Sequence, residues 1–123
     1  RDLERLVREQ RPQVAHVHNV FPMISPRVYS RLQALGVPVV QTVHNLRLRC
    51  PGGLMFTQGE VCDDCTREGF GRAAAKRCVQ NSWATSLLYA NAIGNAWRKG
   101  YYTRDVDRYI VLNDFFWNMQ ILD

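Results

Sequence analysis

No stretch of this sequence approaches the roughly 18 consecutive apolar residues that a membrane-crossing helix needs. No secretory leader is visible. There is no internal repeat, which argues against solenoids and propellers, and no low-complexity tract, which argues against a tail or linker. Nor do basic residues run together with aromatics, as they do along a nucleic-acid groove. Arg47 and Arg49, Arg72, Lys76 and Arg77, and Arg98 and Lys99 are scattered instead. What remains is a globular composition: 46% of the 123 residues are hydrophobic, enough for a real core. The formal net charge of +5 favours phosphates or acidic lipid headgroups as partners, and it is equally compatible with ordinary solubility. The chain opens on Arg1, inside helix-like sequence, so we expect a piece of a longer protein.

The order of elements can be read from periodicity and punctuation. Leu3, Leu6 and Val7 share one face of a first helix, which Pro12 stops. "VAHVHNVF" (14–21) reads as a strand running into a loop. Over 25–36 the spacing predicts a helix with Ser25 as cap, Pro26 in the first turn, Val28, Leu32 and Leu35 as buried stripe, and Gly36 just past the end. "VPVVQTV" (37–43) is the apolar, β-branched run of a strand buried on both faces. Residues 45–80 break the rhythm: they hold five of the eight glycines and all four cysteines, with no long periodic segment. A long helix follows over 82–99, with Trp83, Leu87, Ala90, Gly94 and Trp97 on one face and Gly100 ending it. "VDRYIVL" (106–112) is a third buried strand, and Asp114 is placed to cap a last helix over 115–122. The expected fold class is therefore α/β: a partial Rossmann-like parallel sheet with flanking helices and a Cys-rich insertion.

In open sheets of this kind, ligands bind beyond the carboxyl ends of the strands. Three strands deliver polar pairs to that edge: His18 with Asn19, His44 with Asn45, and Asn113 with Asp114. His16 falls on the same strand face as His18 and reads as core or as support behind the site. Arg47 and Arg49 read as a solvated loop, with an acidic acceptor as the alternative partner.

"HVHNVFPMISPRVYSRLQALGVPVVQTVHNLRLRCPGG" and "DRYIVLNDF" closely resemble the N-terminal, acceptor-side domain of family 4 glycosyltransferases of the GT-B fold. The resemblance is specific over 16–53 and 106–116 and loose over 66–105. It implies that 1–123 is part of that acceptor-side domain, with a Cys-rich insertion over 46–80. The family's glycine-rich loop and its donor-binding C-terminal domain are expected outside the sequence in hand. The implied activity is a retaining transfer of sugar from a nucleotide-diphosphate-sugar donor to a glycan or lipid-linked acceptor, the isolated piece being inactive. Catalysis is expected to involve His44. His18, Asn19, Asn45, Asn113 and Asp114 are expected to bind substrate. The implied location is cytoplasmic, extending to peripheral contact at the inner face of the membrane.

Cys50, Cys62, Cys65 and Cys78 follow C-x11-C-x2-C-x12-C. A C-x2-C pair brings two sulfurs to one point, and the outer pair can complete a four-thiolate structural zinc site that orders an otherwise structureless loop. In the cytosol disulfides are rare, which favours zinc over a disulfide pair. Free thiols and an iron–sulfur cluster are the other readings. A zinc-containing nucleic-acid or protein interaction module without catalysis is the rival function. Against it, the cysteines sit within one insertion, and the segments flanking them read as core strands. The isolated chain is also expected to self-associate, because a sheet cut from its neighbours leaves a strand edge unpaired.

Overall fold

Three parallel strands organise the chain. The structure, a computed structural model, describes residues 2–118. In chain order the elements are α1 (Asp2–Gln10), β1 (Ala15–Val17), α2 (Arg27–Ala34), β2 (Val39–Val43), β3 (Phe56–Thr57), β4 (Glu60–Val61), α3 (Asp64–Arg67), α4 (Gly71–Ala75), α5 (Trp83–Arg98), β5 (Arg108–Val111) and α6 (Asp114–Asn118). The main sheet has the order β1-β2-β5. Ala15 lies opposite Val39, and Val43 opposite Val111, with both pairings parallel. The fold class read from the sequence is the one observed: mixed α/β, with a parallel sheet flanked by helices.

The central strand is apolar because it has a strand on either side, and Val39 and Val43 are core residues. Its start is fixed by a carboxylate. Asp107 accepts from the Val39 amide at 2.7 Å and from Gln33 Nε2 at 2.6 Å. The Val39 amide first, and then Gln33, hold the Asp107 carboxyl below its ordinary value.

Several local expectations are corrected. In α1, Leu3 and Val7 lean on the core while Leu6 is 55% exposed. At α2 the Ser25 hydroxyl does accept from the Arg27 amide, at 3.3 Å, but the helix begins at Arg27 and its fully buried residues are Tyr29 and Leu32. Gly36 adopts φ 72°, the left-handed turn expected of it. Residues 45–80 are not structureless: they form the β3–β4 hairpin and the short helices α3 and α4.

On α5 the buried stripe is Ser86, Ala90, Ile93 and Ala96, and Trp83 is 57% exposed. The face turns because α5 packs against another helix, α4, whose Ala73 and Ala74 are buried. Small residues allow that close approach; a Cβ at Gly94 would meet the Phe70 ring at 3.3 Å. The Ser82 hydroxyl caps α5 by accepting from the Thr85 amide at 3.3 Å. The last helix is capped by Asn113, not Asp114, since Asn113 Oδ1 accepts from the Phe116 amide at 3.2 Å. Its expected extension over 119–122 lies outside the described residues.

Candidate functional site

β1 and β2 end side by side, so the loops that leave them open onto one edge. His18, Asn19, His44 and Asn45 line a single narrow, partly open pocket there, with Arg47, Tyr29, Gln41, Thr42 and Tyr102. Four of the six polar residues expected at this edge therefore meet. Asn113 and Asp114, after β5, do not line the pocket; Asn113 is occupied with capping α6.

The three histidines form a file across the edge. The His16 and His18 ring centroids are 4.5 Å apart, and those of His18 and His44 are 5.8 Å apart. His16 Nε2 hydrogen-bonds Thr42 Oγ1 at 2.8 Å, which ties one end of the file to the central strand. All three rings are exposed, so His16 is not the core residue that was one reading of it, and His44 stands at the far end of the file. Its imidazole can hydrogen-bond a ligand that enters the pocket.

The loop after His44 is built rather than solvated, against the sequence reading of Arg47 and Arg49. Asn45 Oδ1 accepts from the Arg47 amide at 3.0 Å, closing a turn. The Arg47 guanidinium donates to the Pro51 carbonyl at 3.3 Å and lies 5.9 Å from the Tyr89 ring. Arg49 covers the Trp97 ring at 4.0 Å, and Trp97 Nε1 donates to the Leu48 carbonyl at 2.7 Å. Helix α5 thus clamps the segment that joins His44 to the cysteines.

The four cysteines all line a second, small cavity with Asp64 and Lys76. None is in a disulfide. Gly52 packs closely here: a Cβ would meet the Cys78 carbonyl at 3.3 Å, tighter than ordinary contact. Lys76 Nζ donates to Asp64 at 2.7 Å and to Cys62 Sγ at 3.5 Å. Burial pushes the Cys65 thiol up to about 12, and the neighbouring Cys50 and Cys78 act in the same direction. Among the described residues, no three or more His, Cys, Asp or Glu stand together as a bound metal ion would hold them. The sulfurs share a cavity without converging on a point.

Sequence reasoning missed Tyr29 and Gln41 in the pocket wall. Gln41 carried a signal: it is the one amide in an apolar strand, "VVQTV". Tyr29 carried none, since an aromatic inside a helix reads as core.

A family model described as "Glycosyl transferase 4-like domain" matches residues 1–114. No curated protein and no solved structure matches the chain.

Proposed function

Because the chain belongs to the glycosyl transferase 4-like family, we propose that it forms the acceptor-side part of a retaining glycosyltransferase. In this reading a donor-binding domain completes the enzyme. A sugar moves from a nucleotide-diphosphate donor to a glycan or lipid-linked acceptor, in the cytoplasm or at the inner face of the membrane. No helix among the described residues is long and apolar enough to cross a membrane.

The observation that carries the proposal is His44, exposed at the carboxyl end of the central strand in one pocket with His18, Asn19, Asn45 and Arg47. Its imidazole would hydrogen-bond the sugar undergoing transfer. His18, Asn19 and Asn45 would orient acceptor hydroxyls, and Asn113 and Asp114 would approach from the neighbouring strand. The test is turnover by the full-length protein. His44→Ala should lower it about a hundredfold or more with the fold intact, as expected for a positioned polar group. Near-normal turnover rejects the role of His44, and a wild-type protein that transfers no sugar leaves the interaction-module reading.

The cysteine loop is proposed as a structural zinc site. The donor chemistry fits: four thiols, C-x2-C at their centre, face one cavity. Cys50, Cys62, Cys65 and Cys78 would hold the ion, closing on it from their present spacing, and leave no position open for water. Bound zinc supplies cross-linking of the loop, not catalysis. Purified protein should contain close to one zinc per chain. A preparation free of metal and still folded removes this assignment, and visible absorption from iron and sulfur replaces it.

Self-association of the isolated chain belongs to the same reading. Among the described residues, β1 and β5 each have an unpaired outer edge. Val14, Ile110, Leu112 and Phe115 beside them are about half exposed.

A further inference from the structure

The floor of the His44 pocket holds two polar groups with nothing to bond to. Tyr29 is fully buried and Gln41 is 5% exposed. Neither the Tyr29 hydroxyl nor Gln41 Oε1 has a hydrogen-bond partner among the described residues. Both side chains line the pocket that His18 and His44 rim. Proteins rarely leave buried polar atoms unmatched, so an unmet donor and an unmet acceptor at the base of a narrow, partly open pocket indicate which group, the size of one hydroxyl, is meant to reach it.

The chemistry of the two groups narrows the ligand. Burial keeps the Tyr29 phenol protonated, so its O–H can donate. Gln41 Oε1 can only accept. An ammonium cannot accept from Tyr29, and the Arg47 guanidinium lining the same pocket opposes it. A carboxylate or a fully ionised phosphate ester cannot donate to Gln41. Hydroxyl groups do both. We propose that Tyr29 and Gln41 form a hydroxyl-recognising subsite for a neutral sugar ring, and that they select rings bearing a hydroxyl at the position lodged on this floor. The assignment rests on the glycosyltransferase reading for the identity of the ligand as a sugar.

Binding of a panel of methyl hexopyranosides and their monodeoxy counterparts to the full-length protein, followed by saturation-transfer NMR, tests it. The wild type should bind a parent glycoside about tenfold or more tightly than the analogue lacking one particular hydroxyl. Tyr29→Phe and Gln41→Leu should each remove most of that preference by weakening the parent alone. Both variants should also melt no lower than the wild type, because each deletes an unmet buried polar atom. A merely structural role predicts the opposite: lower melting and unchanged discrimination.

Discrimination that survives both substitutions overturns the proposal. So does a floor holding one ordered water that stays in place when sugar is bound, and so does a failure of every glycoside to bind. The two readings fail separately. Normal turnover by His44→Ala with sugar discrimination intact removes the transfer role and leaves the subsite. Lost turnover in His44→Ala with no effect of Tyr29→Phe or Gln41→Leu removes the subsite alone.

Discussion

Ser86→Ala is the substitution whose cost the structure defines best. Ser86 is fully buried on α5, its Oγ accepts from the Val79 amide at 2.9 Å and donates to the Val79 carbonyl at 3.4 Å, and Val79 is itself buried. Removing the oxygen leaves an amide N–H without its partner in surroundings that water does not reach. That costs about 1–3 kcal/mol. Alanine returns roughly 0.5 kcal/mol of helix propensity. The net loss, on the order of 1–2 kcal/mol, is a sizeable part of the ~5–15 kcal/mol that holds a typical domain together. Urea unfolding should show a lower midpoint at unchanged slope.

Val79 follows Cys78 directly, so, if the cysteine loop holds zinc as proposed, the same substitution should also speed the loss of zinc to a chelator. Ser82→Ala is the control: it removes the cap of the same helix at a cost of about 1 kcal/mol, but leaves the tie to Val79 intact and should retain metal normally. An unchanged midpoint for Ser86→Ala, or equal metal loss from the two variants, refutes the reasoning.

Two further outcomes follow from the sheet. The Asp107 carboxyl is held below 3.8, so its contribution is fully present above that pH and disappears as pH falls through the lowered value. Asp107→Asn should therefore flatten the acid limb of the stability curve below about pH 4, and parallel limbs for variant and wild type would exclude this. The isolated chain should sediment as more than a monomer at micromolar concentration, whereas a single cooperatively folded monomer that survives chelator would show that the exposed strand edges are harmless.

Much of the fold was legible because its signals are local. The β-branched run at 37–43, the glycine at position 36 and the serine at position 25 each act through backbone conformation or neighbouring residues. The strand-end histidines were legible for the same reason, since strand direction alone carries both to one edge. What could not be read depends on a distant partner. The face of α5 was read only in part: Ala90 is buried and Trp97 packs against the core as expected, but Trp83 is exposed, and Ser86 and Ile93 are buried in its stead. The cap of α6 was assigned to Asp114 although Asn113 makes the bond, a one-residue shift that spacing does not resolve. Tyr29 looked like packing, whereas it stands in the wall of the His44 pocket.

The placing of the cysteine loop bears on how the chain reaches this structure. The central strand meets β1 early, through the short α2 crossover, but its bond to Asp107 joins residues 68 apart in sequence. Closing so long a loop is slow while the intervening chain is unconstrained, because its entropy must be surrendered before β5 is rewarded by pairing. The hairpin, the two short helices and α5 fold that intervening length into a compact block. The Val79–Ser86 and Leu48–Trp97 hydrogen bonds tether the block along one helix. With the block formed, β5 has only a short gap left to cross. The cysteine loop then acts on the rate of assembly as well as on its end point: β5 should be the last strand to dock, and it should dock faster when the thiols are already gathered.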